Sequence, residues 1–184
     1  MNRILQHSIR LYTKVTAVGA SLSMILLFSI VFINAVRRYS IGKSLEWGEE
    51  LPIFVAIFGV MFGTAWAYIE NRHIRFTMLV GFLPEAWRRK LFLLVDLVVA
   101  ASGALLAWSG WLFTIKRGGL EASGIINLAK GIRTLTGWQG AIWIGHQYPY
   151  MAAMVLGGVL LTVAALMKLF SRFSETETPG PAGE

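Results

Sequence analysis

The chain has 184 residues, 55% of them apolar, and a mean hydropathy of +0.60. This composition leaves too little polar surface for a soluble domain and places the chain in a bilayer. The net charge of +7 comes from Lys and Arg that flank apolar runs. That arrangement is typical of topology signals and lipid-headgroup contacts, and it argues against a nucleic-acid partner. The absence of cysteine excludes disulfides and thiolate chemistry.

Four apolar runs are long enough to cross the ~30 Å hydrocarbon layer as helices, and they cover residues 15–36, 51–69, 91–115 and 149–167. The basic N-terminus resembles a signal peptide, but the run after it is too long and lacks a small-x-small cleavage site, so we expect it to be retained. The sequence therefore predicts an all-α membrane protein, with one four-span domain over residues 1–173 and short interfacial helices. Residues 174–184 form a polar tail that is predicted to be disordered.

The second run has charge at both ends and none between. Its start is marked by Pro52 in the first turn and by nearby glutamates at the positive end of the helix dipole. Gly59 and Gly63 form a GxxxG pattern that would let another helix approach closely, although such pairs also arise by chance. Gly157 and Gly158 offer a similar face in the fourth run.

Asp96 is the acid that the third span must carry below the membrane surface, about two turns from a basic cluster. An intramembrane carboxylate is a functional candidate. Arg89, Lys90 or a cation from a neighbouring span could reach it, so a structural ion pair is the favoured interpretation. The alternative is a proton or cation site in an independent small transporter or channel.

Residues 118–147 mix glycine with apolar residues and are harder to interpret. Between Arg133 and Lys168, 34 residues carry no formal charge, which is more than one span needs. We therefore expect residues 128–144 to lie in the interface, either as an amphipathic helix or as a re-entrant turn.

The distribution of charge predicts the topology. Four spans place both termini on one side, where ten Lys and Arg fall, against seven on the other side. This bias predicts cytoplasmic termini.

No pattern in the sequence indicates catalysis or a bound cofactor. The three histidines, at positions 7, 73 and 146, are not placed for a paired-histidine haem site, and zinc and GxSxG motifs are absent. We expect no enzyme activity, no cofactor and no metal site. With Asp96 as the single ionisable group inside a span, the chain resembles a support for a larger membrane partner more than a complete transporter.

The sequence is similar to the DctQ-type small membrane subunit of tripartite ATP-independent periplasmic (TRAP) transporters. The similarity is good over roughly residues 31–97, where it depends on the order and spacing of the motifs, and it extends to the remainder of the chain by topology. The matching residues are Asn34, Arg38, Tyr39, Trp47, Glu49, Glu50, Leu51, Gly63, His73, Ile74, Leu83 and Pro84. The chain departs from the family pattern after Lys116, where its connection to the fourth span is longer and rich in glycine.

The resemblance implies a four-span protein of the bacterial inner membrane that scaffolds a large multi-span subunit. That partner would hold the substrate and sodium sites and work by an elevator motion. A periplasmic binding protein would deliver an organic acid anion, such as a dicarboxylate, sialic acid or another sugar acid.

The residues expected at the interface with the large subunit are Arg38, Trp47, Glu49, Glu50, Gly59, Gly63 and His73. The alternative for the two glutamates is that they only cap the second helix, which is worth about 0.3–1 kcal/mol each.

Overall fold

A computed structural model describes residues 3–70 and 84–176. Within these ranges the chain folds into helices α1 (Arg3–Ile41), α2 (Leu51–Ile69), α3 (Glu85–Arg117), α4 (Ile125–Thr136), α5 (Ala141–Ile144) and α6 (Tyr148–Thr176), with a 3-10 turn at Glu46–Gly48. Helices α1, α2, α3 and α6 are long and apolar enough to cross a membrane. The predicted all-α membrane fold with four spanning helices is confirmed.

Three of the four long helices are longer than the apolar runs from which they were predicted. Helix α2 coincides with residues 51–69, whereas α1, α3 and α6 extend past their runs into basic flanks. Hydropathy measures the part of a helix that fits hydrocarbon, and the helix itself continues into the headgroup region. Helix α6 also includes residues 174–176 of the stretch predicted to be disordered, and residues 177–184 lie outside the described ranges.

The four long helices are arranged so that α2 packs between α1 and α6, and α6 also packs against α3. Helices α1 and α3 therefore form the two edges. Both edges expose large apolar side chains, for example Phe28 at 70% and Leu105 at 69% exposure. Apolar surface on this scale needs lipid or another membrane protein as its environment.

Each end of the bundle has its own buried cluster. At the end that holds both termini, Tyr68 and Ile69 of α2 pack with Ala164 and Ala165 of α6. At the opposite end, Ala122 and Ile125 pack with Tyr150, whose ring stacks on Phe54 at 4.2 Å. The side-chain hydrogen bonds of Asp96 and Glu50 lie beside these clusters.

The segment between α3 and α6 folds into a closed excursion that contains α4 and α5. Ala122 donates a backbone hydrogen bond to Gly145 at 2.9 Å, and Gln147 donates one to Leu120 at 3.0 Å, so the two ends of the excursion are joined. The 12 residues of α4 measure about 18 Å, too short to cross a bilayer. Residues 128–144, predicted to be interfacial or re-entrant, comprise most of α4 and all of α5.

Candidate functional site

The acidic start of α2 is bonded to the start of α4. The Glu50 carboxylate accepts hydrogen bonds from the Ser123 hydroxyl at 2.8 Å and from the Gly124 N–H at 3.0 Å. Glu46 accepts one from the Asn127 side-chain amide at 2.7 Å. Gly124 occupies the N-cap position of α4, where backbone N–H groups lack helical partners and negative charge is stabilised. We call this set of contacts the α2–α4 latch.

The latch is tightened by a close backbone approach and by Asn34. A side chain at Gly124 would overlap the carbonyl of Glu46, so glycine is required there. Asn34, near the end of α1, accepts a hydrogen bond from the Leu45 N–H at 2.8 Å and donates one to the Gly48 carbonyl at 3.2 Å. The segment between α1 and α2 is thus held from both sides.

The polar residues expected at a partner interface divide into two groups. Glu49 and Arg38 are exposed, whereas Trp47 and Glu50 are partly buried against this chain's own elements. Glu50 does not cap α2 with its side chain, because its carboxylate is bonded to Ser123 and Gly124. His73 lies outside the described residues.

The four glycines expected to pack against other helices also differ in whether they contact this chain. A methyl group at Gly59 would lie 3.2 Å from Ser23 of α1, while at Gly63 it would meet nothing within 4 Å. Gly157 packs on the Met61 side chain of α2, and Gly158 packs on the backbone of α3. Three of the four glycines therefore serve contacts within the chain, and Gly63 presents an open notch.

Asp96 is bound by groups from two other helices. Its side chain is 3% exposed, and one carboxylate oxygen accepts the Tyr68 hydroxyl hydrogen bond at 2.5 Å. The other oxygen accepts the Arg172 Nε–H at 2.6 Å, which forms an ion pair. Lys168 is also buried, with its ammonium 4.3 Å from the centroid of the Tyr68 ring. The carboxylate is thus neutralised and hydrogen-bonded on both oxygens.

The sequence reasoning did not identify the partners in either contact set. Arg172 could have been predicted as a partner of Asp96, because antiparallel packing puts the last turns of α6 beside the first turns of α3. Tyr68 could not have been predicted, since a tyrosine near a span end is equally typical of the headgroup belt. Ser123 and Asn127 lie 73 and 81 residues from the glutamates they bind.

The acidic side chains of the two contact sets are engaged with hydroxyl, amide and guanidinium donors of this chain. Across residues 3–70 and 84–176, no three His, Cys, Asp or Glu side chains gather where they could hold a metal ion. Both sets join helices that are distant in sequence, so their chemistry is that of positioning.

The comparisons with known proteins all match components of one kind of transporter. The family model for the DctQ component of tripartite ATP-independent periplasmic transporters matches residues 27–175. Two Haemophilus influenzae proteins named TRAP transporter small permease protein are 28% identical over 113 residues and 22% identical over 87. The ectoine TRAP transporter small permease protein TeaB of Halomonas elongata is 28% identical over 87 residues.

The extent of these matches differs among the relatives. They cover 61%, 47% and 47% of this chain, in the same order. They cover 68%, 53% and 45% of the relatives' own lengths, so the chain spans about half the length of the last two.

Proposed function

The chain belongs to the DctQ component family of TRAP transporters, and from this membership we propose that it scaffolds a large multi-span subunit. In this proposal the large subunit holds the substrate and sodium sites and carries out the elevator motion. A periplasmic binding protein delivers an organic acid anion to the assembled pair. The chain lies in the bacterial inner membrane with both termini in the cytoplasm.

The observation that supports the scaffold proposal is that the Asp96 carboxylate is buried and already bonded within this chain. Among the described residues it is the one buried carboxylate, and Arg172 and Tyr68 occupy both of its oxygens. A proton or cation site needs an ionisable group that its ligand can reach. The alternative of an independent transporter or channel that uses Asp96 has less support for this reason.

Neither the α2–α4 latch nor the contacts of Asp96 indicate which substrate is transported. One relative is named for an ectoine transporter, and that name describes the relative alone. We place the choice of substrate on the large subunit and the binding protein, and retain organic acid anions as the proposed class for this system.

For the partner interface we propose the exposed members of the expected set, Glu49, Arg38 and the open notch at Gly63. Trp47 and Glu50 would act indirectly, by fixing α4 against the start of α2. His73 stays in the proposal on the strength of the sequence, whereas Gly59 already packs against α1.

Reconstitution separates the scaffold from the independent transporter. Proteoliposomes that contain this chain and its large subunit, supplied with the binding protein and a sodium gradient, should take up a labelled organic acid anion. Liposomes with this chain alone should show neither substrate uptake nor ion flux. Flux through the isolated chain that is abolished by Asp96→Asn would overturn the scaffold proposal.

Two neighbouring glutamates give a matched test of the interface. Glu49→Gln should reduce co-purification of the large subunit and leave the thermal stability of this chain unchanged, because Glu49 is exposed. Glu50→Gln should instead weaken the latch by about 1 kcal/mol, since a charge-assisted acceptor becomes a neutral one. Limited proteolysis between α4 and α5 would detect the loosened excursion. Wild-type co-purification by the Glu49 variant would contradict its place in the interface.

A further inference from the structure

A groove with two chemically different walls lies between α4 and the segment that joins α1 to α2. Its basic wall contains Arg37 and Lys43, and its apolar wall contains Leu128, Ile132 and Leu135 of α4. The three apolar residues recur at positions four and three apart, so they share one face of α4. The neighbouring face of the same helix, with Ile125 and Ala129, is fully buried against the rest of the chain.

The charge on the groove suits a phosphate group. Glu46 also lines it, and its carboxylate is bonded to the Asn127 amide. Among the residues that the structure describes, Arg37 and Lys43 have no carboxylate partner. Two cations and one carboxylate leave a net charge of +1, which complements the single negative charge of a phosphodiester.

The apolar wall distinguishes a lipid from a soluble anion. Leu135 is 88% exposed at the end of a short helix that lies beside the ends of the spans. A large apolar side chain on such a helix is stabilised when it enters the boundary between headgroups and acyl chains. A soluble phosphate would use the basic wall alone, whereas a phospholipid contacts both walls.

We infer that this groove binds one anionic phospholipid, with its phosphate at Arg37 and Lys43 and an acyl chain along Leu128, Ile132 and Leu135. The lipid-binding residues proposed here differ from Arg38, Glu49 and Gly63, which are proposed to contact the large subunit, and the inference does not depend on the transported substrate. A bound lipid would extend the membrane-facing surface across the gap between α4 and the end of α1.

The test uses the complex of this chain with its large subunit, delipidated and then titrated with phosphatidylglycerol under native mass spectrometry. Arg37→Gln combined with Lys43→Gln should weaken the tightest lipid about 30-fold, the effect of removing two basic groups near an anionic headgroup. The matched control is Lys116→Gln with Arg117→Gln, an equal charge change in exposed residues at the end of α3. This control should retain the wild-type affinity.

A second variant tests the apolar wall without disturbing the core. Leu135→Ser should weaken phosphatidylglycerol binding about fivefold, because it removes apolar contact area from a side chain that is already exposed. Glycerophosphoglycerol, which keeps the phosphodiester headgroup of phosphatidylglycerol and has no acyl chains, should not compete at equal concentration. Equal lipid retention by the groove and control variants, or equal competition by glycerophosphoglycerol, would overturn the inference. It would also be overturned if the wild-type complex retained no lipid, as expected if a loop of the large subunit fills the groove.

Discussion

Asp96→Asn should destabilise the folded chain by about 3 kcal/mol, the largest effect that we expect from a polar substitution here. The change removes the buried carboxylate that accepts the Arg172 Nε–H and balances part of the positive charge beside α3. Arg172 is 24% exposed and can turn toward the headgroups, so the loss should fall at the lower end of the range for broken buried ion pairs. Titration of the purified chain from mild detergent into dodecyl sulfate would measure the free energy of unfolding.

Two further variants separate charge from hydrogen bonding at this site. Asp96→Asn combined with Arg172→Gln should recover part of the loss, because the second change also removes the positive charge that Asp96 balances. Tyr68→Phe should cost about 1–2 kcal/mol, since it removes one donor from a carboxylate that keeps its ion pair. An Asp96→Asn variant as stable as the wild type would mean that Asp96 does not stabilise the fold, and the independent-transporter hypothesis would gain support.

The four spans could be predicted from the sequence because a bilayer imposes a length on every apolar helix that crosses it. Helix α2 illustrates this, since its run is bounded by charge at both ends and by a proline in its first turn. The pairing of Asp96 was predictable as a class of contact, because a buried carboxylate requires a cation or donors. Its actual partners depend on which helices pack together, and local sequence does not encode that choice.

The α2–α4 latch was beyond sequence reasoning for a different physical reason. A glutamate such as Glu50 is favoured at a helix N-terminus by the helix dipole. This local effect already explains its position in the sequence, so nothing there indicates a distant partner. Its bonds to Ser123 and Gly124 exist because the ends of the α4–α5 excursion are joined by backbone hydrogen bonds. The spacing of apolar residues can predict a helix in residues 118–147, but it does not predict that the two ends of the segment are joined.

Gly158→Ala should have the largest effect among the apolar substitutions, with an expected loss of about 3 kcal/mol. A methyl group there would overlap the backbone nitrogen of Ala107 and lie 2.6 Å from the carbonyl oxygen of Gly103. Both contacts are with the backbone of α3, which cannot move aside as a flexible side chain would. Helices in a bilayer gain stability from such close backbone approach, so separating α3 from α6 removes much of their packing.

The other glycines form an internal control series for the same chemical change. Gly157→Ala meets the flexible Met61 side chain and should cost less than Gly158→Ala, and Gly59→Ala should cost less again. Gly63→Ala should be neutral or stabilising by roughly 0.5–1 kcal/mol, because nothing lies near and alanine restricts the unfolded chain. Unfolding in dodecyl sulfate would rank the four variants, and a Gly158 variant as stable as the Gly63 variant would contradict the packing of α3 on α6.

Co-purification then tests the open notch on α2. Gly63→Leu should leave the isolated chain folded, since a Cβ at this position meets no atom within 4 Å. If the large subunit packs closely at this notch, the leucine should reduce its recovery with this chain, while Gly63→Ala reduces it less. Full recovery with leucine would place the interface on another face, with the exposed edges α1 and α3 as the remaining apolar surfaces. The stability series and the co-purification series therefore distinguish glycines that hold the chain together from the glycine that is available to a partner.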